Sequence, residues 1–170
     1  PTADRNQFAV EITLPTGTAI DKTTRVADSL SHILQKDPRI LSVTSFKSCA
    51  SPRFHTTYAP QIAGTNYAQF IINTTGVQAT EELLDEYTPK FTDYFPEASV
   101  RFKQLIYSQS AYPIEIRLSG ESVDILTENA NKVVNMLHQI PELRLIHTNF
   151  NEPQAATKVV LKEDEATRLG

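Results

Sequence analysis

The sequence holds a single cysteine, Cys49, one methionine and five glycines. One cysteine excludes an internal disulfide, and without a CxxC or HxxxH spacing there is no ligand set for a structural metal. No apolar stretch approaches the roughly 20 residues that cross a bilayer as a helix. No signal-peptide pattern is visible at the start, where Pro1 stands in place of an initiator methionine. A formal net charge of −4 with no long basic run leaves no electrostatic footprint for nucleic acid or an anionic membrane surface. No Gly-x-Ser-x-Gly elbow marks a serine nucleophile. His32, His55, His138 and His147 scatter over two expected helices, a loop and a strand. An enzyme is therefore not expected, nor a cofactor.

What the chain does have is the composition of a globular protein, with 40% hydrophobic and 21% charged residues over 170 positions. Phe8, Val10, Ile12 and Leu14 alternate with Ala9, Glu11 and Thr13, the period of a strand with one buried and one more polar face. After Pro15, Thr18 is placed to cap a helix, with Asp21 at the capping-box position. Ile20, Val26, Ala27, Leu30, Ile33 and Leu34 give that helix its apolar stripe. Asp37-Pro38 stops it, and a second strand is expected from Ile40 to Phe46, with Leu41 and Val43 as its core pair.

Periodicity then vanishes from Lys47 to Asn66. A structureless connection this long inside a compact domain is more often functional than decorative. It carries Phe54, Tyr58 and Ile62, apolar side chains that suit either a ligand or a local mini-core pinning the loop. A third strand follows at Ala68 to Thr74. Thr80 is placed to cap a second helix whose apolar side runs from Leu83 to Phe95, bent or split by Pro89. A fourth strand from Ser99 to Leu105 sets Val100 and Phe102 on one face and exposes Arg101 and Lys103 on the other. Residues 1–107 thus spell βαββαβ, the ferredoxin-like order of an α+β fold.

Beyond the linker IYSQSAYP the pattern restarts at 112–170. Ile114, Ile116 and Leu118 alternate as a strand, and Ser122 is placed to cap a helix striped by Ile125, Leu126, Ala130, Val133, Val134, Leu137 and Ile140. PELRLIHT at 141–148 parallels PRILSVTS at 38–45, and PQAATKVVLK supplies a further strand. This second unit is an incomplete βαββ half of the same fold. It stops where Glu163, Asp164 and Glu165 open a second helix.

Three stretches carry a family resemblance. DRNQFAVEITLPTGTAIDKTTRVADSL at 4–30, PIEIRLSG at 113–120 and VVLKEDEATRLG at 159–170 resemble, in order and spacing, the periplasmic porter region of resistance-nodulation-division (RND) efflux transporters of the multidrug type. The resemblance covers essentially the whole chain. It implies that residues 1–107 are the first porter subdomain of the transporter's C-terminal half, and that 112–170 begin the second, cut short before a docking insertion. The whole protein is then expected to be a proton-driven homotrimer in a bacterial inner membrane, working with a periplasmic adaptor and an outer-membrane channel, with this piece in the periplasm. The cleft between subdomains would admit an amphiphilic small molecule by alternating access, and Lys47 to Asn66 would be the switch loop.

By the same resemblance the substrate-binding positions are Glu11, Thr13, Phe46, Phe54, Tyr58, Arg101, Lys103 and Leu105. Strand positions of this kind are often apolar in multidrug members, and here several are charged, which weighs against a generic hydrophobic-drug pocket. Ser48 stands where the family usually has glycine. The heavy-metal branch passes soft cations along methionines, but the only one here, Met136, is expected to pack on the apolar side of its helix. The alternative is a ferredoxin-like small-molecule-binding or regulatory module without transport. An acylphosphatase-like enzyme would need an arginine near PTGTAID, which has none, and RNA recognition would need exposed aromatics on the sheet.

Overall fold

The computed structural model describes residues 4–54, 58, 64–105, 114–143, 145–148, 150, 160, 163 and 167–168. Among the described residues the elements follow in the order β1 (Gln7–Thr13), α1 (Ile20–Leu34), β2 (Ile40–Lys47), β3 (Tyr67–Thr74), α2 (Val77–Phe91), β4 (Ser99–Gln104) and α3 (Val123–Leu137). The four strands form one sheet in the order β2-β3-β1-β4, with every neighbouring pair antiparallel. That is the α+β, ferredoxin-like arrangement expected for the first unit.

Register decides which residues share a face, because directly opposed residues point the same way. Phe8 faces Ile72, Val10 lies between Phe70 and Phe102, and Ile12 lies between Ala68 and Val100. This face meets Val26, Leu30 and Leu34 of α1 and Leu83, Tyr87 and Phe91 of α2 in one core. Phe102 packs at about 6 Å, ring centre to ring centre, from Phe8, Tyr87 and Phe91.

Several local expectations shift. The α1 N-cap is Ala19, not Thr18, and no side chain caps it; the Thr18 hydroxyl donates back to Pro15 O at 2.6 Å. Thr18 is occupied by the preceding turn, in which Gly17 at φ +87 supplies the left-handed third position of a type II turn. Likewise the N-cap of α2 is Gly76, so Thr80 lies inside its first turn. There Thr80 is buried and its hydroxyl lies 2.7 Å from that of Thr74. Pro89 does not split the helix, which continues to Phe91. Tyr94, placed on the buried side by periodicity, is exposed beyond that end.

Leu41 is the largest correction on β2. It was expected in the core and is 65% exposed, while Ile40 and Val43 pack against the core. The ladder jumps from Ile40 to Ser42, so Leu41 is an extra residue that reverses the in-out alternation before the regular register resumes.

The second unit forms its helix and no ladder among the described residues. Ser122 caps α3 as expected, its hydroxyl accepting from Ile125 N. The expected strand at 114–118 pairs with nothing described, nor do residues 145–148, and most of the expected strand at 153–162 lies outside the described residues. A helix closes on local hydrogen bonds, whereas a strand exists only through its partner. No residue of α3 is buried: the stripe of Leu126, Ala130, Val133, Val134 and Leu137 is half-covered, and Ile125 is exposed. Met136 is 67% exposed, so the packing role expected for it is absent. Glu163, Thr167 and Arg168 are helical, as the acidic opening predicted.

Candidate functional site

The sheet's other face was expected to be polar and open, yet Ala9, Glu11, Gln69 and Ile71 are all buried. The reason is the loop after β2, whose ends are tied together. Ser48 N donates to Tyr67 O at 2.9 Å and Gly64 N donates to Ser48 O at 3.2 Å. The Thr23 hydroxyl on α1 donates to Thr65 O, and Asn66 Nδ2 donates to Leu14 O. Ser48 adopts φ +63 at the start of this closure, the left-handed conformation glycine favours. The backbone there is one that the glycine expected from the resemblance would suit. Ser48→Gly is accordingly expected to raise stability by about 0.5–1 kcal/mol, the left-handed strain less glycine's extra unfolded-state entropy. A urea midpoint at or below wild type would contradict it.

Held at both ends, the loop lays Tyr58 onto Ala9 and Leu105, with Phe54 packed beside them at 5.1 Å between ring centres. The local mini-core reading of this loop therefore holds for Phe54 and Tyr58, while Ile62 lies outside the described residues. Beneath the tyrosine runs a single cross-strand row of Phe46, Gln69, Glu11 and Arg101 from β2, β3, β1 and β4. The Tyr58 hydroxyl donates to Glu11 Oε1. Gln69, fully buried, donates through Nε2 to Tyr58 Oη at 2.8 Å and accepts from Ser51 N at 2.6 Å. One glutamine side chain thus binds the loop at two points.

Two cations flank the carboxylate. Arg101 Nη1 lies 3.9 Å from Glu11 Oε2, and Lys103 Nζ lies 3.8 Å from Glu11 Oε1 and 4.5 Å over the Tyr58 ring. Both were expected on an exposed face and both are largely covered. Burial drives the Tyr58 phenol well above its usual range, helped by the charge and hydrogen bond of Glu11. The tyrosine is therefore a fixed O–H donor. Desolvation also lowers the Lys103 ammonium, with Arg101 adding to the effect and Glu11 opposing it.

Of the eight residues singled out from sequence, Glu11, Phe54, Tyr58, Arg101, Lys103 and Leu105 converge here. Phe46 shares the row but is half-buried and does not join the cluster of Ala9, Tyr58 and Leu105. Thr13 lies one row beyond, exposed, and lines a separate cleft of about 470 Å³. Thr13, Phe95 and Ser99 line that cleft together with His138, Leu145 and Ile146. Residues on both sides of the linker therefore share it.

Sequence reasoning missed Gln69 and Ser51. Strand alternation already set Gln69 on the face of Glu11 and could have marked it. Nothing in the loop's sequence signals that Ser51 is buried with its hydroxyl unpartnered. Chemically the cluster is suited to recognition: it offers a carboxylate acceptor, an amide donor, two cations and an apolar floor. Among the described residues no three His, Cys, Asp or Glu side chains gather to hold a metal, and no helix is long and apolar enough to cross a membrane.

The sequence profile of the AcrB/AcrD/AcrF family matches residues 1–170. No curated protein matches. Among solved structures, a heavy metal efflux pump is similar over 100% of this chain, with a TM-score of 0.69 at 17% identity, which establishes likeness of fold. The chain spans 18% of that pump.

Proposed function

Since this chain belongs to the AcrB/AcrD/AcrF family of RND efflux transporters, we propose that it is the substrate-admitting part of a proton-driven pump's periplasmic porter region. It has no catalytic role in this reading. It binds amphiphilic or drug-like compounds and passes them on by alternating access. The pump as a whole is an inner-membrane homotrimer that engages a periplasmic adaptor and an outer-membrane channel.

The observation that supports this best is the cleft lined from both sides of the linker, with Thr13 at its edge and the Glu11–Tyr58 cluster one row further along the same strands. A compound settling in the cleft would touch groups from both units.

A titration of the 170-residue chain with a panel of amphiphiles, followed by NMR, tests the reading. Amide shifts are expected at Thr13 and Ser99, and at Phe54 and Tyr58, for at least some members of the panel. A broad panel that shifts neither group would sink it.

A further inference from the structure

Tyr58 lies in its place as a ligand would. Its ring rests on Ala9 and Leu105, Lys103 Nζ stands 4.5 Å over its face, and its hydroxyl both donates to Glu11 and accepts from Gln69 Nε2. All of these partners belong to β1, β3, β4 or the residue that follows β4, and none belongs to the loop that delivers the tyrosine. The sheet therefore carries an apolar floor, a cation above the ring plane, and an acceptor beside a donor at the polar end, with Phe54 of the loop packed against the ring's side.

Few chemical groups satisfy that set. A carboxylate would meet the charge of Glu11, and an ammonium would meet Lys103 and Arg101. A plain hydrocarbon ring would fill the floor but leave the buried Gln69 N–H without its acceptor and take from Glu11 its hydroxyl donor, which is the costly way to discriminate. A neutral aromatic ring bearing a hydroxyl supplies the donor, the acceptor and the π-face together.

We propose that the space filled by Tyr58 is a binding slot for hydroxylated aromatic compounds, phenols in particular, which the chain's own tyrosine occupies until such a compound displaces it. The slot's part in transport rests on the porter reading, whereas its chemistry stands on the geometry alone. Wild type should bind such ligands more weakly than a variant with the slot vacated, because only the fraction with Tyr58 displaced is competent.

The test uses the 170-residue chain carrying Tyr58→Ala, with 4-methylphenol and toluene as probes of nearly equal shape, followed by calorimetry or NMR. The expected result is 4-methylphenol binding at least about tenfold more tightly than toluene, the scale set by two buried hydrogen bonds made or left unmade. Adding Glu11→Gln should reduce that ratio about threefold or more, since a neutral acceptor makes a weaker bond than a carboxylate. Equal binding of the two probes, or no binding of 4-methylphenol by a folded Tyr58→Ala chain, overturns the proposal.

Should Tyr58→Ala not fold, wild type decides. Arg53 is exposed and lies between Ser51, held by Gln69, and Phe54, packed on Tyr58. Millimolar 4-methylphenol should speed trypsin cleavage after Arg53 severalfold while toluene does not, and unchanged cleavage overturns the slot. These outcomes are separable from the porter reading. A failed slot leaves amphiphile shifts at Thr13 and Ser99 untouched, and a chain without those shifts can still discriminate phenol from toluene.

Discussion

Glu11→Ala is expected to destabilise the chain by about 3 kcal/mol, read as a lowered urea midpoint at unchanged slope. The carboxylate is 8% exposed and is the common partner of Tyr58, Arg101 and Lys103. Deleting it removes a charge-assisted hydrogen bond from Tyr58 and takes a carboxylate from beside two largely covered cations that neighbour each other along β4. The cost comes chiefly from what remains charged, so a second substitution tests the cause. In the Glu11→Ala background, Lys103→Met should recover part of the loss, whereas in wild type it should cost on its own. Additive losses from the two substitutions would mean that Glu11 and Lys103 do not act as a pair. Tyr58→Phe, which removes only the hydroxyl, should fall between wild type and Glu11→Ala.

Asp37→Asn is expected to cost about 2–3 kcal/mol at neutral pH, the scale of hydrogen bonds to a buried charge. Asp37 ends the turn between α1 and β2, with its side chain only 9% exposed. Its two oxygens accept from Arg39 N at 2.9 Å, Arg39 Nε at 3.0 Å, Arg39 Nη2 at 2.7 Å and Tyr87 Oη at 2.6 Å. Arg39 continues to Glu86 at 2.8 Å, so the carboxylate joins the α1–β2 turn to α2. An amide would turn an N–H toward one of these donors. Arg39's hydrogen bonds, opposed by burial and aided by Tyr87, hold the Asp37 carboxyl far below its ordinary 3.8. The same contact and burial push the Tyr87 phenol up to about 12, burial being the larger cause.

The pH dependence follows from the direction of the Asp37 shift. A carboxyl whose folded value lies below its unfolded value contributes stability that is fully present above about 3.8 and disappears as pH falls toward the folded value. The gap between wild type and Asp37→Asn should therefore be widest above about pH 5 and shrink steadily between about pH 4 and pH 2. Equilibrium unfolding at several pH values measures it. A gap that stays constant down to pH 2 would mean the loss arises from shape rather than charge.

Much of the first unit was legible because its signals are local. Alternation in FAVEITL, the stripe from Val26 to Leu34, the Asp37-Pro38 stop and the run at Ala68 to Thr74 each fix an element within their own residues. The errors have the opposite character. Leu41 is apolar and correctly spaced, but the bulge that turns it outward depends on how β2 pairs with β3. Thr80 suits a cap, but the N-cap is Gly76, and Thr80 lies inside the first turn with its hydroxyl against that of Thr74. The strand expected at 114–118 has the right alternation and no described partner, and alternation by itself does not supply one.

The candidate site divides along the same line. The sequence by itself determined that β1 and β4 carry Glu11, Arg101 and Lys103 on the face away from the helices, since side chains alternate strictly along a strand. It also determined that the long segment between β2 and β3 carries aromatics no solvated loop needs. Only the tertiary structure decided that these meet. Register, a property of two strands at once, set Phe46, Gln69, Glu11 and Arg101 in one row, and closure of the loop through Ser48, Gly64 and Tyr67 brought Tyr58 down upon it. Once water was excluded there, a face that reads as solvated became a buried ion cluster, because the cost of leaving a charge unpaired rises as the surrounding dielectric falls.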